Sequence, residues 1–145
     1  MDDTDVKILK ALTMDARLSS RQIAKQCDIS IGTALSRVKR MEKEGIIRGY
    51  TTLLDQEKLG YELTVVSEIT VSKGRLLEVE NEIARLPNVC GVYDVTGLID
   101  AIIVAKFKNR EELGRFTKRL LSIPHVERTN SHVVLTTIKE DFRLI

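Results

Sequence analysis

Thr33, Arg37 and Arg40 fall at i, i+4 and i+7, with Ser36 and Lys39 between them. On a helix that spacing gathers the three on one stripe opposite the core and sets Ser36 and Lys39 beside it. Arginine can hold a guanine through two parallel hydrogen bonds, and hydroxyl and ammonium groups suit base edges or phosphates. The basic run Arg37, Lys39, Arg40, Lys43 and Arg48 adds to that character. Slightly upstream, Ser19, Ser20, Arg21 and Gln22 offer side chains and helix-start N–H groups to phosphates. On an isolated helix a charged stripe is ordinarily a solvated face. The reading therefore depends on the elements that carry these residues.

Apolar spacing and caps predict three helices in the first fifty residues. In the first, Ile8, Leu9 and Leu12 form a stripe, and acids at 2, 3 and 5 suit its positive N-terminal end. The second opens at Leu18-Ser19-Ser20, where either serine can cap, and turns Ile23, Ala24 and Cys27 inward. A tight turn through Cys27-Asp28-Ile29-Ser30 leads to a third helix, from Ile31 to about Glu44, stopped by Gly45. Its inward set is Ile31, Ala34 or Leu35, Val38 and Met41. Two short helices joined by a tight turn, the second capped by Ser30, make a helix-turn-helix. That unit lays its second helix in the major groove of DNA. After Gly45, Ile46-Ile47-Arg48-Gly49-Tyr50-Thr51-Thr52-Leu53-Leu54 reads as a β segment, the wing or exit strand of a winged helix.

Charge is distributed to match. Residues 1–50 hold ten Lys/Arg against seven Asp/Glu, whereas residues 51–145 hold 13 against 14. With 145 residues, 43% hydrophobic, 30% charged and only two prolines, the chain should be globular, as one ordinary domain or two small ones. No apolar run approaches the ~20 residues of a membrane span, and the acidic start is unlike a signal peptide. We therefore expect a cytoplasmic protein. Cys27 and Cys90 are far apart, so neither a disulfide framework nor a zinc site is expected. Each reads as a small apolar packing residue, Cys90 on a sheet.

The polar stretch Asp55–Gly60 separates two regimes. The expected organisation is a winged helix-turn-helix over 1–54, a hinge over 55–61 and a second domain over 62–145. Beyond the hinge the pattern is strand (62–72), helix (74–86), strands (89–96 and 101–107), helix capped by Asn109, and strand (126–139). Leu86-Pro87-Asn88-Val89 and Ile123-Pro124-His125-Val126 each close a helix and open a strand, 37 positions apart. Two such halves make a ferredoxin-like βαββαβ sheet with both helices on one face, an α+β fold. Val65-Val66, Ile102-Ile103-Val104-Ala105 and Val133-Val134-Leu135 put apolar groups on both faces, although helices cover only one. An identical sheet is the simplest cover, which predicts a two-fold homodimer presenting two recognition helices to a palindromic site.

Asp5-Val6-Lys7-Ile8-Leu9, Asp15-Ala16-Arg17-Leu18-Ser19, the serine-capped third helix and Gly45-Ile46-Ile47-Arg48-Gly49-Tyr50 resemble the Lrp/AsnC (feast/famine) transcriptional regulators. So do Val95-Thr96-Gly97-Leu98-Ile99-Asp100 and Val126-Glu127-Arg128-Thr129. The resemblance runs over nearly the whole chain in one order. It implies a winged helix-turn-helix joined to a RAM domain that binds amino acids or related metabolites and assembles dimers into octamers or larger rings. The residue pattern itself gives as candidate DNA contacts Ser19, Ser20, Arg21, Gln22, Ser30, Thr33, Ser36, Arg37, Lys39, Arg40 and Arg48. The implied effector site is the turn Gly97, Leu98, Ile99 and Asp100, with Thr129 and Ser131 contributed by a neighbouring subunit. A zwitterion would need N–H donors for its carboxylate and an acceptor such as Asp100 for its ammonium. On this reading Asp100→Ala abolishes the response and leaves folding intact. Alternatively the turn merely links two strands, with Asp100 capping it. The aliphatic Leu98 and Ile99 depart from the polar or aromatic residues usual in the family's turn, and Asp28 stands where its helix-turn-helix usually has glycine.

The siroheme decarboxylases resemble the same family and provide the rival, enzymatic reading. That chemistry wants converging histidines and arginines, and the chain has only His125 and His132. No Gly-rich phosphate loop, nucleophile elbow or metal-ligand cluster is evident. No catalytic residue and no cofactor are assigned.

Overall fold

The computed structural model describes residues 1–145, which divide into two compact units. The first comprises Met1–Leu54 with Lys139–Ile145, and the second Asp55–Ile138.

The first unit is built on α1 (Asp3–Met14), α2 (Ser20–Cys27) and α3 (Ile31–Lys43). Each start has a side-chain cap. Asp2 and Asp5 exchange side-chain-to-backbone hydrogen bonds at 3.0 Å, a capping box for α1. Of the two candidate serines it is Ser19 that caps α2, in a second box with Gln22. Ser30 Oγ accepts from Thr33 N–H at the head of α3. Asp28 closes α2 at φ 54°, a left-handed position that aspartate tolerates better than most residues. Ile8, Leu12, Ile23, Ala24, Cys27, Ala34 and Met41 form the core, flanked by Leu9, Leu18, Ile29, Val38 and Ile47. Between the candidates Ala34 and Leu35, alanine is the buried one, and Leu35 and Ile31 are exposed.

Residues 46–54 form no strand. Gly45, at φ 72°, ends α3, and the amides of Ile46 and Ile47 both donate to Met41 O at 2.9 and 3.1 Å. The β-type sequence beyond has no neighbouring edge to pair with in this chain, and a strand requires one. Leu53 and Leu54 stay exposed.

The second unit orders β1 (Leu63–Val71), α4 (Leu76–Ile83), β2 (Val89–Asp94), β3 (Ala101–Phe107), α5 (Arg110–Ser122) and β4 (Val126–Val133). The sheet order is β2-β3-β1-β4 with every pair antiparallel, the arrangement expected of two βαβ halves. The last strand stops at Val133, short of the expected 139. Val65, Ile69, Val71, Ala101, Ile103, Ala105 and Phe107 pack under Val79, Ile83, Phe116 and Leu120 of the helices. Their alternates Val66, Ile102 and Val104 are only partly covered and line the face without helices. Asn109 caps α5 through Glu112 N–H, whereas the Glu112 carboxylate reaches back to Lys108 N–H. Cys90 is exposed rather than packed on the sheet, because the register of edge strand β2 shifts between Val89 and Gly91.

Candidate nucleic-acid interface and ligand turn

α3 is the second helix of the turn-linked pair, and its buried line, Ala34 and Met41, fixes which side chains face outward. The stripe opposite that line carries Gly32, Ser36, Lys39 and Lys43, all exposed, with Ile31 and Leu35 at its edge. The expected Thr33–Arg37–Arg40 stripe is displaced to the flank, toward α1. Arg37 Nη1 donates to Asp2 Oδ2 at 2.6 Å and to Asp5 Oδ1 at 2.9 Å, and Arg40 Nη2 donates to Asp5 Oδ2 at 2.6 Å. The cause lies in α1. Asp5 stands one turn before Ile8 on the inward stripe and is only 1% exposed. A carboxylate buried there requires charge partners, and the flank of α3 supplies them. Hydrogen bonding from the Asp2 amide, with further bonds from Arg37 and Arg40, holds the Asp5 carboxyl down at about 2. Arg37 likewise holds Asp2 below the usual carboxylate range, and Asp2 and Asp5 push the Arg37 guanidinium up.

The other expected DNA contacts are surface groups in this unit. Arg21, Gln22, Ser30 and Arg48 are exposed, as are Ser19 and the outward Ser36 and Lys39, whereas Ser20 is half-buried. Several hydroxyls have local duties: Ser19 and Ser30 cap helices, and Ser36 Oγ donates to Thr33 O at 3.1 Å. Lys43 and Leu35 are outward-facing residues that the spacing argument did not single out as contacts. Lys43 lies four positions after Lys39, and the helical period taken from Ala34 and Met41 finds it.

In the second unit the turn Gly97–Asp100 joins β2 to β3. Gly97 has φ 128°, a conformation that disfavours any side chain, and Leu98 is fully exposed. Asp100 Oδ2 accepts from Val71 N–H at 2.7 Å, and the Asp100 amide donates to Ile69 O at 2.9 Å. The carboxylate thus ties the turn to the end of β1, at the position where the β1–β4 register shifts. Asp100 thus has a structural partner in β1 that the expectation of intact folding without it did not include. Thr129 faces Ile69 across the β1–β4 ladder. Ser131 faces Ser67, and their hydroxyls are hydrogen-bonded at 2.7 Å. His132 lies on the face without helices, with Glu68 at 3.6 Å and Asn130 at 3.1 Å, and His125 sits in the turn before β4. No group of three or more His, Cys, Asp or Glu is placed to hold a metal ion. No helix is long and apolar enough to cross a membrane.

A capped helix-turn-helix with a basic outer stripe, joined to a ferredoxin-like unit, defines a DNA-binding regulator with a ligand-binding domain. Comparison with known proteins agrees over the whole length. Residues 1–48 match the winged helix-turn-helix DNA-binding family model, and residues 64–144 match the Lrp/AsnC ligand binding domain. An uncharacterized HTH-type transcriptional regulator of Pyrococcus furiosus is 49% identical over 99% of this chain and 97% of its own length. The HTH-type transcriptional regulator FL11 of Pyrococcus horikoshii is 34% identical, over 99% and 95%. Among solved structures, transcriptional regulator NMB0573 of Neisseria meningitidis, in complex with L-Met, superposes with a TM-score of 0.91 at 28% identity. That match covers 100% of this chain and 96% of the other. The chain belongs to the Lrp/AsnC family and is a DNA-binding transcriptional regulator.

Proposed function

We propose that α3 reads the major groove through its outward stripe, with Ser36 and Lys39 facing bases or phosphates and Lys43 facing phosphates. Ser19, Ser20, Arg21, Gln22, Ser30 and Arg48 border that surface and supply backbone contacts that set the register. The observation that carries this reading is the stripe itself: Lys39 and Lys43 are exposed on the second helix of the pair, and neither has a carboxylate partner. The functional boundaries follow as a DNA-binding domain over 1–54, a connecting segment over 55–61 and a ligand-binding and assembly domain over 62–145.

The protein acts, on this proposal, as a cytoplasmic homodimer that assembles further to an octamer or larger ring. Val66, Ile102, Val104 and Tyr93 on the helix-free face of the sheet give the dimer an apolar contact. An amino acid or related metabolite binds beside Gly97, Leu98, Ile99 and Asp100, with Thr129 and Ser131 of a neighbouring subunit closing the pocket. The L-Met of the Neisseria complex supports that ligand class. Ligand shifts DNA binding by favouring one arrangement of the assembly over another.

The test is a salt-titrated binding assay on promoter fragments, with and without each amino acid, comparing wild type with Lys39→Ala/Lys43→Ala. Each lost phosphate contact lowers the slope of log K against log salt by about 0.9. Selective wild-type binding, a flatter slope in the variant and a shift with one amino acid are expected. An unchanged slope would remove α3's outer stripe from the interface.

A further inference from the structure

The Arg37–Asp5–Arg40 cluster has a consequence for DNA recognition beyond holding helices together. A guanidinium binds a phosphate through the same planar, bidentate donors it offers a carboxylate. Here those donors already meet Asp2 and Asp5, at 2.6 to 2.9 Å. The two carboxylates balance the two arginines in charge. The only other carboxylate near Arg40 is Glu44, at 4.0 Å. The cluster spans α1 and α3, whose residues are 32 to 35 positions apart, so it is a tertiary device and not a solvated i, i+4 pair.

Arginine–phosphate contacts are available on every DNA sequence, and they strengthen non-specific binding as much as specific binding. A recognition helix flanked by two unpaired arginines would hold any duplex. We propose that Asp2 and Asp5 are specificity-determining residues, which occupy Arg37 and Arg40 internally and so keep them from the phosphate backbone. Sequence selection is thereby left to the outward stripe of α3. The inference rests on the proposal that α3 faces DNA. It reverses the ordinary expectation for acidic residues at such a surface: removing them tightens non-specific binding and loosens discrimination.

The cleanest variant is Asp2→Asn. Asp2 is 55% exposed, and asparagine caps a helix as well as aspartate, so α1 keeps its start. Asp5→Asn makes the larger electrostatic change at a buried site, and its fold is checked by circular dichroism. Wild type, both variants, Arg37→Ala and Asp2→Asn/Arg37→Ala are titrated with salt. The probes are a duplex selected by the full chain from a random-sequence pool and a scrambled duplex of equal length. Each arginine freed to a phosphate steepens the slope of log K against log salt by about 0.9 and tightens scrambled-duplex binding about ten-fold at 50 mM salt.

We expect both Asp→Asn variants to steepen the slope and narrow the ratio between selected and scrambled DNA. Arg37→Ala alone should leave the slope at its wild-type value, and adding it to Asp2→Asn should restore that value. A merely structural role for Asp2 would not produce this restoration. A well-folded Asp2→Asn and Asp5→Asn pair with wild-type slope and ratio would overturn the inference. So would a flatter slope for Arg37→Ala alone, which would mean the arginine leaves its carboxylates for DNA. Wild type without preference for its selected duplex would instead overturn the α3 reading, and the inference with it.

Discussion

Asp100 offers a prediction whose size follows from the geometry. Its Oδ2 receives the Val71 amide at 2.7 Å, and Val71 is 7% exposed at a shift in the β1–β4 register. Asp100→Ala leaves that N–H without a partner where water is largely excluded. A buried donor left unsatisfied costs about 1–3 kcal/mol. For a unit of this size, a loss of about 2 kcal/mol lowers the melting temperature by roughly 8–16 °C. Asp100→Asn keeps an oxygen acceptor but gives up the charge, and should lose about half as much. The assay is thermal unfolding of ligand-free full-length chain at fixed concentration, with hydrogen exchange at the Val71 amide. Exchange there should accelerate about thirty-fold in the alanine variant, the equivalent of about 2 kcal/mol. An alanine variant with wild-type melting and wild-type Val71 protection would show that the Asp100–Val71 bond does not stabilise the unit. It would return Asp100 to a role in ligand contact alone.

Two further predictions concern the first unit and the thiols. The Asp5 carboxyl is held near 2, below its ordinary 3.8, so its stabilising contribution is complete above about pH 4 and is lost as pH falls toward 2. The stability gap between wild type and Asp5→Asn, followed by circular dichroism, should therefore close across that window; a gap independent of pH would contradict the ion-pair account. Cys90 is exposed and Cys27 is buried, so a thiol reagent should modify one cysteine in the native chain and two after unfolding. Mass spectrometry that finds Cys27 modified first would show the helical core to be open.

Much of this fold was legible because helix cores and caps are local. Ile8 and Leu12, and Ile23 and Cys27, read correctly from spacing alone, as did Ser30 and Asn109 as caps. The repeated Leu-Pro and Ile-Pro closures likewise anticipated the sheet order. Misreadings arose where a distant partner decides. Residues 46–54 have strand composition but no paired edge, and Cys90 is exposed at a shift of strand register that no period-two pattern reveals. On α3, a basic stripe and a buried carboxylate on another helix are separate facts until they meet. Periodicity placed Thr33, Arg37 and Arg40 together correctly, and spacing could not show that Asp5, over thirty positions away, pairs with both arginines while Arg40 stays exposed and Arg37 half-buried. The outward neighbours Ser36 and Lys39 were visible from the start, and Lys43 needed only the helix rotation that Ala34 and Met41 define. Asp100 was legible as either a ligand group or a turn cap, whereas its carboxylate accepts from the Val71 amide of β1, a partner 29 positions away that no local pattern reveals.

Whether α3 meets DNA with its outward stripe while Asp2 and Asp5 retain the flanking arginines is decided by a structure of the chain on a duplex it selects. Ser36, Lys39 or Lys43 should lie within hydrogen-bonding distance of DNA in each bound helix, with the Arg37–Asp5 and Arg40–Asp5 pairs intact. Arg37 or Arg40 withdrawn from Asp5 and seated on bases or phosphates would contradict that arrangement, as would α3 lying outside the major groove.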